Sequence, residues 1–155
     1  MTIGGIPLIY LGDEVGTLND YSYLHDPVHK QDSRWVHRPK ANRESYDKRH
    51  NLKTIEGHVY QKLQNLIKLR KEHDVFSAGQ VEIVHTENDH VLGFVRSTVD
   101  KRVVILANFS ETPQIIQSSL LERYAIHGHT QLHGTRNLKF GGDLIVEPLD
   151  FLLIN

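Results

Sequence analysis

The chain divides into segments that differ in how hydrophobic and polar residues alternate. Residues 5–11 form an apolar run that begins at a glycine, and a polar Gly12-Asp13-Glu14 loop follows it. A short, continuous apolar run of this kind is typical of a strand that is buried on both faces. Such a strand needs neighbours on each side, yet only four residues precede it. We therefore expect residues 1–16 to be one strand of a larger barrel, followed by an exit loop on its rim.

The next segment, residues 17–53, has little hydrophobic periodicity and many ionisable side chains. Loops of this length are uncommon in a compact domain unless they are functional or disordered. Aromatic side chains recur within the segment, at Tyr21, Tyr23, Trp35 and Tyr46, whereas disordered segments contain few aromatics. These aromatics favour a functional loop.

Residues 54–73 carry the pattern of an amphipathic helix. Their apolar residues recur at helical spacing, and lysines and a glutamate lie off that stripe. Thr54 is a suitable N-cap, because its hydroxyl can accept a hydrogen bond from an unpaired backbone N–H. Lys71 and His73 suit the negative end of the helix dipole. The predicted apolar stripe consists of Ile55, Val59, Leu63, Leu66 and Ile67.

From Gly79 onward the hydrophobic period becomes about two, which is typical of strands. Turn residues separate these short strands, and helical patterns do not, so the segment predicts an antiparallel sandwich against which the helix packs through its apolar stripe. The predicted strands are Gln80–Thr86, His90–Ser97, Arg102–Phe109, Gln114–Gln117, Leu144–Glu147 and Phe151–Ile154.

Composition excludes several classes of partner. The chain has 155 residues, of which 39% are hydrophobic and 24% charged, and its net charge is −1. A charge this close to zero provides no basic field for nucleic acid or an anionic membrane. No apolar run approaches the roughly 20 residues that span a bilayer, and residues 1–16 lack the features of a signal peptide. The absence of cysteine excludes disulfides and thiolate metal sites, and it fits a cytoplasmic location.

Three stretches resemble one enzyme family. Residues 5–16 with Thr17-Leu18-Asn19-Asp20, and then the run Asp-Ser-Arg-Trp-Val-His-Arg-Pro at residues 32–39, resemble amylosucrases and the related sucrose hydrolases of the α-amylase superfamily, glycoside hydrolase family 13. Residues 107–114 resemble the sandwich domain of the same enzymes. The Gly-Asp-Glu loop is shared across the superfamily, whereas the run at residues 32–39 is far more specific.

The resemblance implies an α+β fold and a place within a larger enzyme. Residues 1–77 would be the last strand, the rim loop and the last helix of a (β/α)8 catalytic barrel. Residues 78–155 would be the C-terminal all-β antiparallel domain, a Greek-key sandwich. The chain would then be the C-terminal part of its parent. Without the other barrel strands, we expect residues 1–16 either to be covered by a second copy, in a homo-oligomer, or to adopt a conformation other than a barrel strand.

The resemblance also implies retaining chemistry on sucrose. A carboxylate nucleophile forms a glucosyl-enzyme, a second carboxyl acts as acid and then base, and the glucosyl unit passes to an α-1,4-glucan or to water. The implied partners are sucrose and α-glucan, without a cofactor. In the family the catalytic carboxylates lie on earlier strands of the barrel. No residue of this chain matches such a motif, so we assign none as catalytic and expect the isolated chain to be inactive.

Four residues are candidates for substrate contact in the parent enzyme. The resemblance implies that Arg34 pairs with an aspartate from elsewhere in the barrel and closes a pocket for one glucose. Trp35 can stack on a sugar, although packing is the commoner role of a lone tryptophan. Asp13 and Glu14 are adjacent, whereas retaining glycosidases hold their two carboxyls about 5–5.5 Å apart across the scissile bond. For this pair we therefore favour a role in shaping the loop.

Further polar residues of the chain carry weaker signals. His37 and Arg38 either line the same rim or are simply exposed. The chain has eleven histidines, and the closest groupings are His25 with His29 and the cluster His127, His129 and His133. None forms a His-Glu-x-x-His motif and no cysteine completes a zinc set, so we expect no specific metal site. Residues 141–143 read as a turn and not as a phosphate loop, since the Gly-Lys-Ser/Thr ending is absent.

Two alternatives to the sucrose-active glucosyltransferase remain open at the level of sequence. The sandwich can be a non-catalytic module that packs on the barrel or binds glucan. The parent can also be a sucrose hydrolase or another α-amylase-type glycosidase, since the motifs are shared. Glucan binding would need exposed aromatics, and after residue 79 these are few: Phe94, Phe109, Tyr124, Phe140 and Phe151.

Overall fold

The structure is a computed structural model, and it describes residues 1–124, residue 132 and residues 142–155. The chain separates into two compact units. One unit comprises residues 7–68, and the other comprises residues 1–6 together with residues 69–155. The first six residues therefore group with the strand-rich part of the chain, which we call the sheet unit.

The described helices and strands follow one another in a simple order. Residues 7–68 contain four short 3-10 helices, at Asp13–Val15, Ser22–His25, Ser33–His37 and Lys48–His50. The α-helices are α1 (Arg43–Asp47), α2 (Ile55–Glu72), α3 (Val75–Ala78) and α4 (Ser118–Arg123). The strands are β1 (Gln80–Val84), β2 (Val91–Ser97), β3 (Arg102–Asn108), β4 (Gln114–Ile116), β5 (Leu144–Val146) and β6 (Phe151–Ile154).

The strands form two antiparallel sheets, which confirms the predicted α+β class. The larger sheet has the order β1-β2-β3-β6, with Val95 opposite Val104 and Leu106 opposite Leu152. The smaller sheet pairs β4 with β5 and places Ile115 opposite Ile145. The barrel and the Greek-key sandwich, as finer descriptions of the parent, stay predictions.

Strands β2, β3 and β6 of the larger sheet contribute buried residues to two hydrophobic clusters, one on each face, whereas β1 is mostly exposed. One face shares a hydrophobic cluster with the smaller sheet and α4, through residues such as Leu106, Val146 and Leu121. The other face packs against the end of α2 and against α3, where Leu69 and Phe76 contribute to the cluster. Since successive strand residues point to opposite faces, the uninterrupted apolar run in β3 fills both cores at once.

Helix α2 confirms the helix predicted over residues 54–73, since its observed bounds are Ile55–Glu72. The Thr54 hydroxyl accepts a hydrogen bond from the Gly57 N–H at 3.2 Å and so caps the helix as predicted.

The predicted packing stripe of α2 needs correction. Ile55 is 76% exposed, whereas the other four residues of the stripe are partly buried. The buried residue is instead Leu69, near the end of the helix. Leu69 shares its cluster with Val75 and Phe76, because α3 follows α2 closely.

Residues 5–11 do not form the strand of the predicted barrel, which is one of the two outcomes expected without the other barrel strands. Residues 6–10 take part in no strand pairing among the described residues, and Ile6 and Leu8 are 98% and 89% exposed. A strand is stabilised by hydrogen bonds to a neighbour and by cover on its faces. No described segment supplies either here, so the apolar pattern alone does not produce a strand.

Among the described residues, no helix is both long and apolar enough to cross a lipid bilayer.

Truncating Phe76 should destabilise the sheet unit far more than truncating Ile55. Phe76 is fully buried, and a buried Phe→Ala change costs about 3–5 kcal/mol of unfolding free energy. The exposed Ile55→Ala control should change it by no more than about 0.5 kcal/mol. Urea denaturation followed by circular dichroism measures both values. A larger effect of Ile55→Ala would show that the predicted stripe is the true packing surface.

Candidate functional site

The loop around Asp13 and Glu14 is held together by its own side chains. The Asp13 Oδ2 accepts the Tyr10 N–H at 3.2 Å, and the Glu14 Oε2 accepts the Gly12 N–H at 2.8 Å. Gly12 has a φ of +104°, and a Cβ there would lie 2.8 Å from the Thr17 hydroxyl. Glycine is therefore required at this position. Both carboxylates thus bind the backbone of the loop from which they project.

Tyr46 lies beside this loop and carries a buried, unsatisfied hydroxyl. The hydroxyl makes no hydrogen bond of acceptable geometry among the described residues. Burial, and after it the neighbouring Glu14 carboxylate, raise the pKa of Tyr46. Both influences favour the neutral phenol. The Glu14 carboxylate therefore has a neutral aromatic neighbour, and no cationic partner within the part of the chain that the structure describes.

Arg34 forms an ion pair within its own 3-10 helix. Its Nε and Nη2 donate to the two carboxylate oxygens of Asp32, each at 2.8 Å, and its backbone N–H donates to the Asp32 Oδ1 at 3.0 Å. The side-chain hydrogen bonds from Arg34, and then its backbone N–H, lower the pKa of Asp32 to about 2. The Arg34 side chain is 74% exposed, so one edge of the pair remains open to solvent.

Trp35 is half-buried and contacts two other side chains of the same loop. Its ring centroid is 3.9 Å from that of His29, and the Arg38 guanidinium carbon is 5.7 Å from the centroid. The His29 Nδ1 in turn lies 2.7 Å from the Asp26 carboxylate. In this chain Trp35 therefore packs within its own loop, and stacking on a sugar stays a prediction.

A cavity of about 250 Å³ lies between the Asp13 loop and the segment that follows Trp35. It includes two residues that the sequence singled out, Asp13 and His37, whereas Arg34 and Trp35 do not line it. Asn19 also lines it, and its Oδ1 lies 3.1 Å from the His37 Nδ1. The lining residues are Tyr10, Leu11, Gly12, Asp13, Thr17, Leu18, Asn19, His37 and Pro39.

The chemistry of this cavity is that of a binding surface. A carboxylate, an amide and an imidazole offer hydrogen bonds to hydroxyl groups, with Tyr10 and Leu11 as apolar surroundings. Asp13 and Glu14 each hold a backbone N–H of their own loop, and no pair of facing carboxyls is built from them. The sequence analysis did not identify Thr17, Asn19 and Pro39 as site residues, because only the folded loop brings them beside His37.

The described residues contain no group of three or more metal-ligating side chains. His29 is engaged by Asp26, while the predicted cluster of His127, His129 and His133 lies outside the described residues. In the predicted turn at 141–143, the Asp143 carboxylate accepts the Ser118 N–H at 2.9 Å, at the start of α4.

Comparison of the sequence with known proteins gives one curated relative of interest. No family model matches the chain. The probable oligo-1,6-glucosidase 3 of Bacillus subtilis strain 168 is 33% identical over 69 residues, which are 44% of this chain and 12% of that protein. The chain therefore spans only a small part of the length of this relative.

Comparison of the fold gives solved structures of similar enzymes. A trehalulose synthase mutant from crystals soaked with trehalulose has a TM-score of 0.52 at 20% identity, over 62% of this chain and 17% of that chain. The trehalose-6-phosphate hydrolase of Bacillus licheniformis has a TM-score of 0.51 at 19% identity, over 61% and 18% of the two chains. At this identity the similarity shows the fold alone. Neither these structures nor the curated relative singles out amylosucrases.

The Asp32 carboxyl should titrate with a pKa of about 2 and lose the larger part of this shift in Arg34→Ala, whose backbone N–H can still donate to Asp32. Its folded-state pKa lies below the value of about 3.9 in an unfolded chain. The pair therefore stabilises the loop fully above that value, and its contribution is lost as the pH falls towards the folded-state pKa. In Arg34→Ala the pKa should rise towards the unfolded value, because the guanidinium donors are gone. Carbon-detected NMR titration of the side-chain carboxyls measures both.

Asp26 is the matched control within the same loop, because its pKa is lowered chiefly by the Val28 backbone N–H and then by His29. Its titration should be the same in both proteins. An Asp32 titration that does not respond to Arg34→Ala would contradict the ion pair described above.

Proposed function

We propose that this chain is the C-terminal part of a sucrose-active, α-retaining glucosyltransferase or hydrolase of the amylosucrase type. The observation that carries the proposal is the Asp-Ser-Arg-Trp-Val-His-Arg-Pro run at residues 32–39, in which Arg34 is exposed and His37 and Pro39 line a polar cavity. The similarity to enzymes of the α-amylase family supports the general class. A trehalulose synthase of similar fold, described in complex with its substrate sucrose, supports sucrose as the substrate (TM-score 0.50, 19% identity).

In this proposal the chain contributes binding groups and leaves the covalent chemistry to the rest of the parent. Asp13, Asn19 and His37 offer hydrogen bonds to the hydroxyls of sucrose or of an α-glucan end. The catalytic nucleophile and acid/base would come from earlier strands of the barrel, because Asp13 and Glu14 are committed to the backbone of their loop. This division of roles predicts that the chain contributes to substrate binding in the parent enzyme but does not itself catalyse the reaction.

Arg34 is the proposed determinant of a pocket that accepts one glucose. A guanidinium has five donors in a planar fork, and two of them are used on the Asp32 side chain. The remaining donors can pair with an aspartate of the parent barrel while Asp32 holds the guanidinium in orientation. An ion pair across the pocket would close its base behind a single glucosyl unit.

A second candidate function is glucan binding by the sheet unit. Phe109 is 70% exposed, in the turn that follows β3, and an exposed aromatic ring can stack on a sugar. The other described aromatics are less available, because Phe94 is buried and the Tyr124 hydroxyl accepts the His85 N–H. Phe140 lies outside the described residues. A single exposed ring makes this function the weaker of the two.

The isolated 155-residue chain should release no fructose from sucrose, because removal of the nucleophile abolishes the covalent step. In the parent enzyme, Arg34→Ala should lower kcat/KM for sucrose at least about a hundredfold, since loss of one partner from a desolvated ion pair costs about 3–5 kcal/mol. Arg34→Lys should restore only part of the activity, because an ammonium cannot form the bidentate contact.

Arg43→Ala provides the control, since Arg43 is exposed at the start of α1 and outside the cavity. Coupled assays of glucose and fructose release measure all of these activities. Kinetics of Arg34→Ala within threefold of wild type would remove Arg34 from the site. Fructose release by the isolated chain would overturn the proposal that the chemistry lies elsewhere in the parent.

A further inference from the structure

Arg96, near the end of β2, is buried and has no acidic partner among the described residues. It is 2% exposed, and its guanidinium donates to three main-chain carbonyls. Its Nε donates to the Val75 oxygen at 3.1 Å, its Nη2 to the Phe76 oxygen at 3.2 Å and its Nη1 to the Ile3 oxygen at 3.2 Å. The first two carbonyls belong to α3, and the third belongs to the first residues of the chain.

Arg70, in the last turn of α2, approaches the same place. Its Nη1 donates to the Met1 oxygen at 2.5 Å and to the Phe76 oxygen at 2.6 Å, and its Nη2 donates to the Gly5 oxygen at 2.8 Å. The Phe76 carbonyl therefore accepts hydrogen bonds from both guanidiniums. We call this arrangement of Arg70, Arg96 and the carbonyls of residues 1, 3 and 5 the carbonyl clamp.

The clamp brings two like charges together, and this costs free energy. Burial lowers the pKa of Arg96, and the charge of Arg70 lowers it further. A buried charge is tolerated only where dipoles or counter-charges compensate it. Every hydrogen bond that the structure gives these two guanidiniums goes to a carbonyl oxygen, so the compensation depends on keeping those carbonyls in place.

Gly4 and Gly5, which lie between the carbonyls of the clamp, have backbone conformations that suit it. Gly4 has a φ of +122°, and a Cβ at this position would lie 3.0 Å from the Arg96 Nη1. Gly5 has a φ of +66°, with nothing within 4 Å of the position of a Cβ. The bend at Gly4 and Gly5 therefore turns the carbonyls of residues 3 and 5 towards the guanidiniums. At residue 4, glycine also leaves room for Arg96, because the Cβ of any other residue would lie too close to its guanidinium.

We propose that Arg70 and Arg96 are positioning residues that hold residues 1–5 on the sheet unit. The start of the apolar segment is then ordered by guanidinium–carbonyl contacts, in place of the strand pairing that residues 6–10 lack. The planar fork of arginine is needed because the acceptors are spread over three carbonyls at each residue. Lysine, with all its donors on one nitrogen, cannot reach them together. This inference does not depend on the proposed function.

The test uses backbone ¹⁵N relaxation of the 155-residue chain. In the wild type, the order parameters of Gly4 and Gly5 should be near the rigid value of about 0.85, and in Arg70→Ala and Arg70→Lys they should fall below about 0.6. The amides of β2 and β3 should keep their order parameters, because Arg70 is not part of the sheet. Lys71→Ala, an exposed neighbour on the same helix, should change nothing.

Two glycine variants probe the Arg96 side without removing its buried charge. Gly4→Ala should release residues 1–5 as Arg70→Ala does, because its φ of +122° strains an L side chain and its Cβ would lie 3.0 Å from the Arg96 Nη1. Gly5→Ala should release them less, because its φ of +66° lies in the left-handed helical region and its methyl group meets no atom within 4 Å. The proposal is overturned if Arg70→Ala leaves Gly4 and Gly5 rigid, or if Arg70→Lys preserves their order. It is also overturned if Arg70→Ala loosens β2 and β3 as much as residues 1–5, because Arg70 would then support the core in general.

Discussion

The burial of β3 on both faces is the constraint on which the sheet unit depends. Val103, Val104, Ile105 and Leu106 are consecutive and all buried. Alternate residues of β3 enter two different hydrophobic clusters. If only one cluster formed, the apolar residues on the other face of the strand would remain exposed to water. The smaller sheet and α4 are needed on one face, and the end of α2 with α3 is needed on the other. The unit therefore requires a layer on each side of one sheet.

A buried polar residue at the end of β3, Asn108, joins the two sheets. Asn108 is buried, and its Nδ2 donates to the carbonyls of Thr112, Val146 and Glu147 at 2.8–3.1 Å. Its Oδ1 accepts both the backbone N–H and the hydroxyl of Ser110 at 2.8 Å. Because a buried amide is costly unless it is satisfied, this network fixes how the chain leaves the larger sheet for the smaller one.

Much of this fold is readable from the sequence because local pattern and burial agree. All six strands are predicted within two residues of their bounds, since each has its own alternation and its own turns. Helices α3 and α4 are too short to show a period. The strand at residues 5–11 is not formed for another reason: the hydrophobic pattern indicates that these residues are buried, but it does not identify the neighbouring strands that would bury them. For the candidate site, the sequence motif identifies Arg34 as a site residue. It does not predict the ion pair between Arg34 and Asp32, because that pair depends on the turn geometry at the start of a 3-10 helix.

The exposed apolar segment at residues 6–11 has a consequence for how the protein behaves at high concentration. Its residues carry no charge, and uncharged apolar stretches are the ones that nucleate cross-β aggregates. Pro7 lies between Ile6 and Leu8, the two most exposed side chains of the segment. Proline offers no N–H to an intermolecular ladder. It therefore acts as a gatekeeper that limits the register and length of any fibril this segment could start.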